Sequence, residues 1–500
     1  MLRFYNTLHR QVEPFAPLKE GEVGMYSCGP TVYNFATIGN LRAYVFVDLL
    51  KRYLKFCGYQ VKHVMNITDV DDKTIRDSRA AGESLAVFTN RYTAAFLADL
   101  ATLNIQLPDE TPHASTHIQE MIVIIQKLLD KGLAYAAADG SVYFKIAADS
   151  RYGELAQLDR QQLKSNAEGR PNTADEYDKE NASDFALWRA WSSEDGTVKW
   201  ESPWGPGRPG WHIECSAMST KYLGEQFDIH TGGVDLIFPH HTNEIAQSEG
   251  ATGQQPFVKY WLHNAHLLAG GQKMSKSAGN FYTLRDLVEQ GINPLLLRLF
   301  FIKNHYRQTI DYTPQAIEEA KGIAKRFLEV LIGVDTISLP NRSSLGLSAS
   351  THESEAVTAP HRQALRPSRD LVTAARKNFQ DALDDDLNVY PALAALFEFM
   401  DSVNKSLKTM LPEEAQAVKN FLFAVDEVLG FIKPLYDQYQ ARLAAVLSDP
   451  AAKDLLARRE VARAARDFKQ ADELRTRLAQ KGLAVSDTAL GQAPRLLDLV

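Results

Sequence analysis

Cysteine is scarce in this chain. Only Cys28, Cys57 and Cys215 occur in 500 residues, an odd and widely spaced set that excludes a disulfide framework and any short zinc-finger spacing. Free thiols of this kind imply a reducing, cytoplasmic setting. Long apolar runs are missing too: nothing approaches the roughly 18 residues needed to span a bilayer. Near the start, Arg3, His9 and Arg10 lie among mixed residues with no apolar stretch of signal-peptide length. The chain therefore reads as neither exported nor membrane-spanning. It lacks a dominant charge, because 55 Lys and Arg against 62 Asp and Glu leave a net −7, so any nucleic-acid contact must come from local basic patches. No internal repeat is apparent. What is present, 45% hydrophobic and 23% charged residues, is ordinary globular composition, and the length suggests roughly three domains.

Two segments carry nucleotide chemistry. Lys273-Met274-Ser275-Lys276-Ser277 follows the pair Gly270-Gly271 and places two ammonium groups and two hydroxyls on one loop. Lysines on flexible stems can follow an anion as charge moves during phosphate departure. Alone, the loop reads equally well as a solvated basic turn. The second segment, Pro30 to Asn40, lies between a strand-like run, Val23 to Ser27, and a helical pattern from Leu41 to Cys57. Asn40 is expected to cap that helix, Gly39 lets a ligand approach the backbone, and the first-turn amides face an anion. Leu41, Val45, Leu49 and Tyr53 share one side of the helix, and Gly58 closes it.

These two segments resemble the paired signatures of class I aminoacyl-tRNA synthetases. Further blocks are similar to the cysteinyl branch of that family: Tyr5-Asn6-Thr7-Leu8, Met25 to Tyr33, Asn66 to Lys73, Ser202-Pro203-Trp204-Gly205, Gly210-Trp211-His212-Ile213-Glu214-Cys215-Ser216 and Phe238-Pro239-His240-His241. They run in order from Met1 to about Leu287, with weaker similarity beyond. The resemblance implies an α/β fold: a Rossmann-like parallel-sheet catalytic domain with an inserted connective segment, then an α-helical bundle and a small C-terminal anticodon-binding domain. It implies a cytoplasmic monomer that joins L-cysteine to tRNA(Cys) with ATP and Mg²⁺, through a cysteinyl-adenylate. ATP is then expected at Gly39, Asn40, Lys273, Ser275 and Lys276, with Thr37, Asn40, Lys273 and Lys276 acting on the triphosphate.

One departure lies at that chemistry. The family usually opens its four-residue signature with histidine, whereas Thr37 stands here before Ile38-Gly39-Asn40. Threonine donates one neutral hydrogen bond but cannot become cationic. Thr37 is expected to serve as a donor to the triphosphate. Losing such a donor outright costs on the order of a hundredfold in rate.

His240 and Glu244 are four apart, so on a helix they share a face. Spacing alone favours a capped helix with a solvent-facing glutamate over a metal site. The resemblance reverses this, because Cys28, Cys215, His240 and Glu244 match the family's zinc ligands, with Thr242 where a glutamate is common. The logic is selectivity. Serine and cysteine are nearly isosteric, and shape separates such pairs only about a hundredfold, whereas Zn²⁺ distinguishes a soft thiolate from a hydroxyl. The same resemblance implies cysteine contacts at Cys28, Gly29, Thr31, Thr68, Trp211 and Asp235. Thr68 ends the strand-like run Val61 to Ile67, where ligands gather in open sheets, while Asp69, Asp71 and Asp72 read as a turn capping the next helix. His230, His263 and His266 rank lower as polar contacts, and Cys57 reads as core.

The catalytic domain is expected over residues 1–310, with its connective insertion at about 120–200, polar and irregular. Helices follow over 311–440, interrupted by a flexible loop at about 341–367 rich in Ser, Ala and Thr, and residues 441–500 form the anticodon-binding domain. From Lys453 to Lys481, nine basic residues oppose five acidic ones, and Val461, Ala465, Phe468, Ala471, Leu474 and Leu478 keep helical spacing, which predicts one amphipathic helix with a basic face. Gly482 to Val500 predicts a short strand and tail. Many family members carry a Trp-Arg pair near the C-terminus, but this chain reads Asp487 to Arg495 with no aromatic. Anticodon reading then falls to other residues, such as Arg463 and Arg475. Two alternatives stay open from sequence: a ligase joining cysteine to an amino sugar, disfavoured by the long segment after Asn304, and a non-catalytic tRNA-binding descendant, suggested by Thr37.

Overall fold

The computed structural model describes residues 1–158, 183–274, 279–338, 365–488 and 491–500. They divide into two units, Met1–Pro294 with Asn304–Thr313 and Leu383–Asn388, and Leu295–Lys303 with Pro314–Ala382 and Val389–Val500.

In the first unit, an antiparallel pair, β1 (Arg3–Asn6) and β2 (Gln11–Pro14), precedes β3 (Glu22–Ser27), whose Val23, Met25, Tyr26 and Ser27 are all buried. Burial on both faces is what a parallel strand between layers requires. Helix α1 (Ile38–Phe56) follows and buries Leu41, Val45, Leu49 and Tyr53 as the spacing predicts. Its cap is Thr37, not Asn40: the Thr37 side chain accepts from the Asn40 amide, and Asn40 holds the third helical position of a capping box. Strand β4 (Gln60–Met65) pairs with β3 in parallel. Asp71 caps α2 (Asp72–Ala80) through the amides of Lys73 and Thr74, as the acidic run predicts, and α3 (Leu85–Thr102) comes next.

The stretch expected to be irregular is ordered where it is described. Helix α4 (Ile118–Asp130) buries Ile118, Met121, Ile122, Ile125 and Leu128. An antiparallel sheet then runs in the order β5 (Ala134–Ala136), β6 (Val142–Phe144), β7 (Phe185–Ala190), β8 (Gly207–Pro209). Three of these strands have only three residues, too few for a period-2 pattern to stand out.

Helix α5 (Trp211–Leu223), β9 (Phe227–Gly233), α6 (Thr242–Thr252) and β10 (Val258–Asn264) complete the core. The central sheet has the order β10-β9-β3-β4, every pair parallel. Chain order proceeds outward in both directions from the β3–β9 boundary, so the topological switch lies between those strands, where such sheets open a crevice at their carboxyl ends. A three-stranded sheet, β12-β11-β13, combines β11 (Leu267–Ala269), β12 (Gln272–Lys273) and β13 (Ile310–Tyr312), and α7 (Leu284–Glu289) lies between the last two in sequence.

The second unit is helical: α8 (Pro294–Ile302), α9 (Pro314–Ser338), α10 (Leu365–Leu383), α11 (Val389–Ser406), α12 (Pro412–Leu429) and α13 (Ile432–Ser448). Most of the interval expected as a flexible loop, residues 341–364, lies outside the described residues; the last three, 365–367, begin α10. The single amphipathic helix expected from Lys453 to Lys481 is two, α14 (Pro450–Ala464) and α15 (Phe468–Gln480), broken at Arg466, whose φ is +59°. A left-handed residue cannot continue a right-handed helix. Its breakage changes the faces: Val461 is 70% exposed and Phe468 55%, while Arg459 is buried. β14 (Leu483–Thr488) and β15 (Gly491–Leu496) close the chain as an antiparallel hairpin rather than a strand and tail. No helix among the described residues is long and apolar enough to cross a membrane.

Candidate active site and metal centre

The nucleotide turn is built by the cap of α1. The Thr37 hydroxyl donates to Asn40 Oδ1 at 2.8 Å and accepts from the Asn40 amide at 3.2 Å, while the Thr37 amide donates to Asn40 Oδ1 at 3.0 Å. The one proton of Thr37 is thus spent within the turn. Thr37 also forms an antiparallel bridge with Thr283, and the Ile38 amide donates to the Tyr282 carbonyl at 3.0 Å. A Cβ on Gly39 would come within 2.5 Å of Met274 Cε, so the turn and the start of the lysine loop are close neighbours. Lys273 is exposed on β12, with its carbonyl accepting from Asn280 Nδ2 at 3.3 Å. Ser275 and Lys276 lie outside the described residues.

At the carboxyl ends of β3 and β9, donor atoms of Cys28, Cys215, His240 and Glu244 lie within 4.8 Å of one another. Atoms bound to one zinc at about 2.0–2.3 Å sit at most about 4.6 Å apart, so this set is close to what one ion would gather. His240 lies in a single turn, Ile237–His241, that leads into α6, and its Nε2 is 3.0 Å from Glu244 Oε1. An overlapping set, Cys28, His230, His241 and Glu244, meets the same distance criterion. The neighbouring contacts are His230 Nε2 to Glu244 Oε2 at 2.8 Å, His241 Nε2 to Cys28 Sγ at 3.3 Å, and His212 Nδ1 to His240 Nδ1 at 3.0 Å. His263 bridges His241 and Thr7, both at 2.8 Å. Thr242 does not join the cluster: its hydroxyl donates to the Ile237 carbonyl.

Burial and mutual charge set the ionisation. Burial pushes the Cys28 thiol well up, and Cys215 and Glu244 add to this, as does the charge of Asp235. Burial alone would also raise Cys215, yet hydrogen bonding with Cys28 and the charge of His240 bring it down to about 6. His240 rises to about 10 against its burial, because Cys215 and Glu244 favour the imidazolium. Glu244 falls to about 2 against its own burial, held by His230 and His240. Without an ion, the mutual interactions thus favour charge on Cys215, His240 and Glu244 and the neutral thiol at Cys28.

Of the residues expected to contact cysteine, Gly29 and Thr68 join a chain of hydrogen bonds beside this cluster and Trp211 packs on its His240. The Gly29 amide donates to Asn66 Oδ1 at 2.8 Å, Asn66 Nδ2 to Thr68 Oγ1 at 3.1 Å, and Thr68 Oγ1 to Glu214 Oε2 at 2.9 Å. Thr31 and Thr68 form a parallel bridge. Trp211, half-buried at the start of α5, places its ring 4.3 Å from that of His240. Asp235 is exposed. His266 is also exposed, and its carbonyl rather than its ring is engaged, accepting from Arg42 at 2.6 Å. Sequence reasoning missed the roles of Asn66, His212, Glu214 and His241, although six of the thirteen histidines fall between residues 212 and 266, a density that marks the region.

In the C-terminal elements, Arg459 grips Asp487 with both nitrogens, at 2.9 and 3.0 Å, and Arg463 reaches the same carboxylate at 3.1 Å. The Arg463 guanidinium also lies 5.1 Å from the centre of the exposed Phe468 ring. Arg475 pairs with Asp472 at 3.3 Å.

A parallel sheet with a capped signature helix and a lysine loop defines a class I aminoacyl-tRNA synthetase core, and the comparisons agree. Solved structures with this fold include a Mycobacterium tuberculosis methionyl-tRNA synthetase with methionyl-adenylate (TM-score 0.55, 16% identity, 86% of this chain and 91% of that one) and an Agrobacterium radiobacter leucyl enzyme in a ternary complex with tRNA (0.55, 11%, 84% and 85%). The tRNA synthetases class I (C) catalytic domain family matches residues 14–322, the DALR domain 378–433 and the cysteinyl-tRNA ligase anticodon binding domain 448–495. The cysteine–tRNA ligase of Brachyspira hyodysenteriae is 44% identical over 98% of both chains, and those of Chlamydia muridarum and Leptospira interrogans are each 42% identical over 98% of both. The chain belongs to the cysteine–tRNA ligase family.

Proposed function

We propose that this enzyme activates L-cysteine with ATP and Mg²⁺ to cysteinyl-adenylate and transfers it to the 3′ end of tRNA(Cys), choosing cysteine by its thiolate. The observation that carries this is the convergence of two sulfurs, one imidazole and one carboxylate at the switch crevice of the sheet. Cys28, Cys215, His240 and Glu244 would hold one Zn²⁺; His230, His241 and His212 make hydrogen bonds to three of these four and serve as outer partners. The ion supplies a soft Lewis acid that favours sulfur over oxygen. Thr68 and Trp211 bound the substrate beside it, and Asp235 meets the ammonium.

For ATP, the first-turn amides of α1 and Lys273, with Lys276 and Ser275 from the same loop, hold the phosphates. Since the Thr37 proton goes to Asn40 Oδ1, Thr37 acts by orientation. With Oδ1 occupied, the Asn40 amide presents its NH₂ outward as the donor that the missing histidine would have supplied. For tRNA, the exposed Phe468 ring with Arg463 over it offers an unpaired anticodon base a stacking platform in place of the absent C-terminal tryptophan. One chain is the working unit.

The test is cysteine-dependent pyrophosphate exchange followed by charging of tRNA(Cys), with serine as competitor, before and after zinc removal by chelation. Exchange and charging that favour cysteine, with that preference lost on chelation and restored by Zn²⁺, support the reading. An unchanged preference in the stripped enzyme overturns the role of the metal; absence of exchange overturns catalysis; cysteine transfer to an amino sugar instead of tRNA favours the other ligase class.

A further inference from the structure

The two cysteines of the proposed metal site come from distant parts of the chain, Cys28 after β3 and Cys215 in the first turns of α5. Between their neighbours runs an unbroken file of hydrogen bonds, from the Gly29 amide through Asn66 and Thr68 to Glu214. Its polarity is fixed from one end. A backbone amide can only donate, so Asn66 must turn its oxygen to Gly29 and its nitrogen to Thr68. The Thr68 hydroxyl accepts from Asn66 and sends its own proton onward to Glu214 Oε2. Asn66, Thr68 and Glu214 are each 1% exposed, and Glu214 Oε1 has no hydrogen-bond partner, so the contact with Thr68 is the hydrogen bond that Glu214 makes. No slack exists at the other end: a Cβ on Gly29 would lie 1.6 Å from the Asn66 carbonyl oxygen.

We propose that Glu214 is a positioning residue which, through Thr68 and Asn66, sets the separation of the Cys28 and Cys215 segments and thereby the geometry of the metal site. The inference rests on the zinc reading above. A directed file of buried hydrogen bonds resists sliding because each shift leaves a buried donor or acceptor unpaired. Fixing the residue beside each thiolate limits how far the sulfurs can separate when the ion is absent, so the site stays preorganised.

The full-length enzyme is stripped and titrated with Zn²⁺ and, separately, with Co²⁺, whose absorption bands report ligand geometry. Wild type is compared with Glu214→Ala, Glu214→Gln, Thr68→Val and Thr68→Ser, and each is melted. Glu214→Ala and Thr68→Val are expected to weaken Zn²⁺ binding about 10- to 100-fold, the range for lost outer partners of a metal site, and to shift the Co²⁺ bands. Glu214→Gln and Thr68→Ser keep an acceptor and a hydroxyl and are expected to keep both near wild type. Unchanged affinity and bands in Glu214→Ala and Thr68→Val overturn the inference, as does weakened binding that tracks a lowered melting temperature with unshifted bands. A wild-type chain that binds no stoichiometric metal fails differently, because it overturns the zinc reading itself.

Discussion

The Thr37 hydroxyl and the Asn40 side chain are locked to each other, with Thr37 Oγ1 donating to Asn40 Oδ1 at 2.8 Å and accepting from the Asn40 amide at 3.2 Å. Loss of the pair should therefore show at position 40 more than at position 37. Thr37→Ser keeps both hydrogen bonds and is expected to leave the pyrophosphate-exchange kcat nearly intact. Thr37→Val removes the cap, which is worth about 1 kcal/mol, and frees the Asn40 amide to turn, for a moderate loss. Asn40→Ala removes the outward donor and is expected to lower kcat by about a hundredfold. A larger loss in Thr37→Val than in Asn40→Ala would return the donor role to Thr37.

Metal loading should release protons in a number set by the cluster. Between about pH 7 and 9 the metal-free site favours Cys215 as thiolate and Glu244 as carboxylate, while Cys28 and His240 favour their protonated forms. Binding requires thiolates and a neutral imidazole, so about two protons leave per ion. The sign follows: the bound state carries fewer protons, so affinity rises with pH, by roughly two decades per unit across this window. Titration calorimetry of Zn²⁺ in buffers of different ionisation enthalpy measures the number directly. Release of no protons would mean that neither Cys28 nor His240 is a ligand.

How much of this was legible in the sequence depends on the reach of each signal. The helix after the nucleotide turn was readable because Leu41, Val45, Leu49 and Tyr53 repeat over several turns, and Asp71 was readable as a cap because its partners lie two and three residues on. The division of labour between Thr37 and Asn40 was not, since both are good cap residues and only the bonded geometry decides which occupies the cap position. The break at Arg466 was hidden because apolar spacing continues across it from Val461 to Phe468, yet both of those side chains are exposed. Spacing alone favoured no metal site at His240 and Glu244. Their union with two cysteines arises from parallel pairing of β3 with β9, a contact about 200 residues long in sequence that local periodicity cannot express. The file through Asn66, Thr68 and Glu214 is of the same long-range kind.

The exposed Phe468 ring separates stacking from charge in tRNA binding. Phe468→Ala is expected to weaken tRNA(Cys) binding by about 1–3 kcal/mol while leaving its salt dependence unaltered. Arg463→Gln removes one cation and is expected to lower the slope of log affinity against log salt by about 1. Charging kinetics over a salt series distinguish the two. An unaltered affinity in Phe468→Ala would move the anticodon contact elsewhere on the module.

Two glycines of the site offer a final contrast, because what an added methyl group meets differs in kind. At Gly29 the obstacle is the Asn66 backbone oxygen at 1.6 Å; at Gly39 it is the mobile end of the Met274 side chain at 2.5 Å. Backbone yields far less than a thioether tip, so Gly29→Ala is expected to cost the upper end of the roughly 1–3 kcal/mol typical of overpacking, or more, and to lower the melting temperature by several degrees, about 2–4 °C for each kcal/mol in a unit of this size. It should also weaken metal binding, since Asn66 must move. Gly39→Ala is expected to leave the melting temperature and zinc affinity within error and to raise the KM for ATP, as Met274 is displaced at the base of the lysine loop. Equal thermal losses in the two variants would show that the backbone near Asn66 is as compliant as a side chain, and would remove the rigidity on which preorganisation of the metal site depends.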